Sequence, residues 1–142
     1  GAGYAHMTVL AHSYGSTTAG IAATRIPPET VDDMIMYGSP GMGTYDSREF
    51  NIDPTHLWVS GIPEGDSIQG VGVLGIPGVL GYLGKNPLDS DSGFKHLSGD
   101  ATGAANYNHH PSWGWDASNH AVYLEEGTES LKDMARVVVG VK

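Results

Sequence analysis

A serine with a small residue two places before it and another two places after it, Ala11-His12-Ser13-Tyr14-Gly15, joins the short apolar run Met7 to His12 to a stretch rich in helix formers. When a strand turns sharply into a helix, the residue at the turn is forced into a strained backbone conformation. Its neighbours two places away then approach closely, which favours Gly or Ala at both. Ala11 and Gly15 meet that demand. The turn lifts the Ser13 hydroxyl to the carboxyl end of a sheet and points the Tyr14 N–H, at the helix N-terminus, toward a developing oxyanion. The chemistry this suits is attack on a carbonyl. The plainer alternative is that Ser13 only caps the helix.

A serine hydroxyl is a weak nucleophile and needs a base, itself held in one tautomer by a carboxylate. After a serine on such a turn, the chain order runs acid, then histidine. Asp66 follows the third strand by a short loop and is the first choice of acid, although Glu64-Gly65-Asp66-Ser67 also reads as an ordinary turn. Asp89 and Asp91 are reserves. Of seven histidines, His6 and His12 precede or flank the serine, His56 opens a strand and His96 lies inside one. His120, in the last loop before the final helix, is the expected base, with His109 and His110 as rivals. A zinc site from His109, His110, Asp116 and His120 is also conceivable. Adjacent histidines point in different directions and no helix supplies an i, i+4 pair, so neither metal nor cofactor is expected. Tyr107, Trp113 and Trp115 interleave with these residues and suit the rim of an apolar substrate cleft, with Trp113 and Trp115 as substrate-binding candidates.

These residues need a scaffold. Met7 to His12, Met34 to Tyr37 and Leu57 to Ser60 are short apolar runs of the kind that form fully buried parallel strands, and Phe94 to Leu97 is a possible fourth. Tyr14 to Arg25 reads as a helix that stops before Pro27-Pro28. Glu129 to Val139 reads as an amphipathic helix with Leu131, Met134, Ala135 and Val138 on its buried face. Strands alternating with helices predict α/β architecture, a parallel sheet with flanking helices, over a single domain spanning 1–142.

The chain has 142 residues, 39% of them hydrophobic, which suffices for one buried core. Its 7 basic against 16 acidic residues give a formal charge of −9. Such a surface repels phosphates, so nucleic acid is not expected as a partner. With no cysteine there is no disulfide, thiolate metal site or cysteine nucleophile. Gly 21 and Pro 8 make up about a fifth of the chain, against an average near 12%, so tight turns and long connections are expected. No basic start leads into a long apolar run at the N-terminus. An uncharged, glycine-rich insertion at about 67–85 has too many helix breakers to span a membrane. It reads instead as an apolar wall or lid, with Leu80 and Leu83 against an acyl group.

Thr8 to Thr17 with its His-Ser-Tyr-Gly-Ser block, then Val31-Asp32-Asp33 with Gly38-Ser39-Pro40-Gly41, then Asp66 and Asn119-His120-Ala121-Val122-Tyr123, resemble a family of bacterial α/β-hydrolases whose role is largely unassigned. The resemblance runs over most of the chain. It implies an α/β-hydrolase-like sheet with Ser13 as nucleophile, Asp66 as acid and His120 as base. It further implies that this chain is the C-terminal part of the fold. One flank of Met7 to His12 would then be unpaired, to be completed by a missing N-terminal segment or a second chain that supplies the second oxyanion donor. The expected activity is cleavage of a small or lipid-like carboxylic ester through an acyl-enzyme. A peptidase or thioesterase on the same residues, and a non-catalytic interaction module, are the alternatives.

Overall fold

The computed structural model describes residues 5–62, 65–68, 83–111 and 115–142. In chain order the elements are β1 (Thr8–His12), α1 (Tyr14–Ala23), β2 (Asp33–Tyr37), β3 (Leu57–Ser60), β4 (Gly65–Asp66), β5 (Lys95–His96), β6 (Trp115–Asp116) and α2 (Glu129–Val138). Four strands form one sheet in the order β1-β2-β3-β5, and every neighbouring pair is parallel. Leu10 lies opposite Ile35, Ile35 opposite Trp58 and Trp58 opposite Lys95. β4 and β6 form a separate parallel pair that sets Asp66 opposite Asp116.

Parallel strands need crossovers, and the crossovers cover both faces of the sheet, so central strands are apolar at every position. Along β2 the side chains alternate. Ile35 and Tyr37 join Trp58, Leu97, Val122, Tyr123, Met134 and Val137 on the α2 side. Met34 and Met36 join Ala23, Met42, Phe50, Leu57, Val59 and Phe94 on the α1 side. Full burial of a side chain of this size contributes about 1.5–3 kcal/mol, and Met34, Ile35, Met36, Leu57 and Val59 are all essentially inaccessible. Gly20 lets α1 settle: a Cβ there would stand 1.9 Å from the Met42 carbonyl oxygen.

Three expectations are corrected by this arrangement. β1 is not fully buried: it stands at the end of the sheet with β2 as its one strand neighbour among the described residues, and Leu10 remains 39% exposed. The buried face of α2 is Ser130, Asp133, Met134 and Val137, while Ala135 and Val138 face outward. The helix is rotated by one position because Asp133 is drawn inward, accepting the Ser98 N–H at 2.8 Å and contacts from Arg136 and Lys142. The segment Ser98 to Ser118 contains β6, just as the turn at Asp66 contains β4. β5 is shorter than the run Phe94 to Leu97; those two residues point into opposite cores while Lys95 and His96 are exposed at the sheet's edge.

Most of the glycine-rich insertion, with Leu80, lies outside the described residues, as does Trp113. Among the described residues no helix is long and apolar enough to cross a membrane.

Candidate active site

In a parallel sheet the carboxyl ends of all strands fall on one edge, where ligands of open α/β folds bind. That edge here carries His12 and Ser13 after β1, and Tyr37 and Gly38 after β2. Ser13 holds φ 55° and ψ −136°, a left-handed conformation that costs a non-glycine residue about 1–3 kcal/mol. Its N–H donates to the Tyr37 carbonyl at 3.1 Å, which ties the turn to β2. Its carbonyl accepts from the Ser16 N–H at 3.0 Å and the Ser16 hydroxyl at 2.6 Å, and Ser16 also bonds Ser39. Although Ser13 precedes α1, its side chain does not cap the helix. Tyr14, the first residue of α1, belongs to the opening turn whose N–H groups have no acceptor within the helix.

Ala11 is buried in the turn, but the steric demand expected at Gly15 is absent. Among the described residues nothing lies within 4 Å of a Cβ placed there. Gly15 points outward from α1, so the close packing falls on Gly20 and Gly38 instead.

Asp66 and His120 meet. Asp66 is fully buried on β4, and the three-residue-per-turn helix Ser118–Ala121 that follows β6 carries His120 to it. His120 Nδ1 lies 2.9 Å from one carboxylate oxygen and 3.0 Å from the other. Tyr123 donates its hydroxyl to Asp66 Oδ2 at 2.6 Å, and the Ile68 N–H reaches Oδ1 at 2.8 Å. Burial pushes the Asp66 carboxyl up, but the bonds from His120, Tyr123 and Ile68 outweigh it and hold the group below its ordinary range. An ionised carboxylate requires a donor opposite it, so Nδ1 carries the proton. In neutral His120 the lone pair is then on Nε2. Nε2 is buried and has no hydrogen-bond partner among the described residues.

Sequence order set His12 aside, yet its ring lies against that of His120, centroids 4.5 Å apart, and stacks on Tyr37 at 4.7 Å. His12 Nε2 is 2.7 Å from the His120 carbonyl oxygen. Gly38, at φ +54°, leaves room for both rings. A Cβ there would come within 3.0 Å of His120 Cε1 and 3.2 Å of His12 Cδ2. The buried Asn119, next to His120, fixes the loop from the other side: its Oδ1 accepts the Asn108 N–H at 2.7 Å and its amide donates to the Asn108 carbonyl at 3.0 Å. Asn119 and Tyr123 lie in the Asn119-to-Tyr123 block, and His12 and Gly38 in the His-Ser-Tyr-Gly-Ser and Gly-Ser-Pro-Gly blocks, but no such block says what these side chains touch.

The rivals lie elsewhere. His6 and His56 flank Asp33 at the amino end of the sheet, at 2.8 Å each. His96 and Asp89 are exposed, and Asp91 pairs with Lys85. His109 packs on Tyr107, and Asp116 accepts from Ser118 and Asn108. Leu83 accepts the Gly43 N–H at 2.9 Å through its carbonyl and lies against Gly41, in the loop after β2. Trp115 is placed on β6 opposite Gly65.

A family described as alpha/beta hydrolase matches residues 2–76, more than half of the chain. The uncharacterized protein Rv2079 of Mycobacterium tuberculosis is 25% identical over 150 residues, covering 95% of this chain and 21% of its own length. Two further uncharacterized proteins, Rv0963c of the same organism and Mb0988c of Mycobacterium bovis, are each 35% identical over 53 residues, covering 37% of this chain and 19% of their own. The chain thus spans about a fifth of the length of these curated relatives. No solved structure matches it.

Proposed function

This chain belongs to an alpha/beta hydrolase family, and on that footing we propose that it carries the catalytic part of a serine hydrolase that cleaves carboxylic esters. The observation that carries the reading is the pairing of His120 Nδ1 with the buried Asp66 carboxylate, which leaves Nε2 without a partner among the described residues, on the edge where Ser13 turns. In this reading Ser13 sits on a nucleophile elbow. His120 Nε2 takes the Ser13 proton as Oγ attacks the ester carbonyl, and the Tyr14 N–H binds the developing oxyanion. The protonated imidazole, facing Asp66, gives its proton to the departing alcohol. Water then attacks the acyl-Ser13 ester by the same route and releases the acid. Leu83, packed against Gly41, is assigned to the acyl side of the cleft, and Leu80, Trp113 and Trp115 are the substrate-binding candidates read from the sequence. The open side of β1 is where a further strand, from the rest of the polypeptide or from another chain, brings the second oxyanion donor.

The test is labelling with a fluorophosphonate probe, together with hydrolysis of p-nitrophenyl esters of increasing chain length. Wild-type protein is expected to label at Ser13 and to turn over esters, and Ser13→Ala to do neither while melting normally. Loss of a triad serine can cost about 10⁶ in turnover. Equal labelling of Ser13→Ala, or ester turnover that survives it, overturns the assignment.

A further inference from the structure

Resting on that reading, we infer that His12, the residue before the nucleophile, is a positioning residue that holds the loop bearing the general base in register with the elbow. The His120 carbonyl can only accept, so the 2.7 Å contact makes His12 Nε2 the donor. This bond closes a span of 108 residues. Its two ends are the strand that leads directly into Ser13 and the backbone of the residue whose imidazole must reach Ser13. Among the described residues no other hydrogen bond joins β1 to the turn that carries His120. The rings add to the bond. The His12 ring stacks on Tyr37, nearly parallel at 16° and 4.7 Å, and lies against His120, tilted by 32° at 4.5 Å.

The placement also sets the charge state of His12. Burial, with the neighbouring His120 as a further cause, favours the neutral ring, although the bond to the His120 carbonyl and the Asp66 charge work the other way. Around His12 stand His120, Asp66 and the phenols of Tyr37 and Tyr123. When His120 gains a proton during acylation, a neutral His12 beside it keeps a second positive charge away from the imidazolium. His12 therefore acts through His120 and not on substrate. Two groups can react at full rate only when held in near-attack geometry, and a misplacement of about 1 Å costs about 10²-fold.

Two substitutions of similar volume separate the donor from the packing: His12→Gln keeps a side-chain N–H and His12→Met does not. His12→Phe keeps the ring and removes the donor. We expect Met and Phe variants to lose about 10²-fold in kcat with KM unchanged, and the Gln variant to recover most of it. The low-field Nδ1 proton of His120, read by NMR, should broaden in the Met and Phe variants and persist in the Gln variant. If either donor-free variant does not fold, the other takes its place, and if the Gln variant does not fold, the wild type is the donor-bearing member of the comparison. A folded Met or Phe variant with wild-type kcat and an unchanged His120 proton overturns the inference. A wild-type protein that neither labels nor hydrolyses esters, while its His120 proton still depends on His12, would instead overturn the hydrolase reading and leave the clamp standing.

Discussion

Tyr123 donates to Asp66 Oδ2 at 2.6 Å while its own oxygen accepts the Ile62 N–H at 3.1 Å, so one phenol links the buried carboxylate to the backbone that follows β3. Both residues are essentially inaccessible to solvent. Burial, with the nearby Asp66 charge and their mutual bond, pushes the Tyr123 phenol well above its ordinary range, so it remains a donor at any pH the fold survives. The carboxylate is therefore oriented by Tyr123 and Ile68, and presents its oxygens to His120 Nδ1 as the third donor.

Tyr123→Phe removes one of those donors and leaves the Ile62 N–H without a partner. The expected stability loss is about 1–3 kcal/mol, the cost of an orphaned buried polar group. Without its phenol donor the Asp66 carboxyl rises, and its hold on the His120 imidazolium weakens. A loss of about 1.4 kcal/mol in the transition state is tenfold in rate, so kcat should fall about tenfold or more. Thermal melts and ester kinetics on the same preparation check both; unchanged kcat in a destabilised variant would make Tyr123 structural only.

Gly38→Ala tests the slot that receives the base. The new methyl would stand 3.0 Å from His120 Cε1 and 3.1 Å from Nδ1, at a backbone φ of +54° that alanine resists. The ring must give way or the loop after β2 must move. Ester turnover and fluorophosphonate labelling should both drop sharply, with the substrate KM little changed. Wild-type labelling rates would show that the imidazole tolerates the displacement.

β2 and β3 were legible because a strand buried on both faces leaves an unbroken apolar run, as in Met34-Ile35-Met36-Tyr37 and Leu57-Trp58-Val59-Ser60. The turn at Ser13 was legible for a related reason, since strand, small residues and helix follow one another within a few positions. β4 and β6 were not: two residues each cannot display a period, and what pairs Gly65 with Trp115 is a contact across fifty residues of chain. The roles of His12 and Gly38 lie in such long contacts too. Chain order removes His12 from the list of candidate bases, but order says nothing about which side chain supports the base. The rotation of α2 was hidden because its inward residue, Asp133, is charged, and only its partners Ser98, Arg136 and Lys142 explain its burial.

Among the described residues β1 has an open edge, and an edge strand with exposed apolar side chains pairs readily with another chain. Met7 is 50% exposed and Leu10 39%. The isolated chain is expected to self-associate as its concentration rises, and Leu10→Lys to suppress this without lowering the melting temperature. A wild-type chain that sediments as a monomer throughout would mean that this edge needs no partner.

The Asp66 carboxyl gives the site a defined acid limit. Its folded value lies below the ordinary carboxylate value because the bonds from His120, Tyr123 and Ile68 outweigh the burial that opposes them. The unfolded chain therefore binds the proton more readily than the folded one, and stability rises with pH through that interval. The contribution of Asp66 is fully present above the unfolded carboxylate value of about 3.9 and is lost as pH falls through the lower folded value. In Asp66→Asn this group no longer titrates. Urea denaturation across the acid range should show a variant that is less stable near neutrality but loses less stability per pH unit below about pH 4. The other depressed carboxylates, Asp133 among them, still titrate in both proteins and supply the common slope. Parallel acid limbs would show that Asp66 gains nothing from its three donors, and the carboxylate would then be no better placed to steady an imidazolium than a solvent-exposed one.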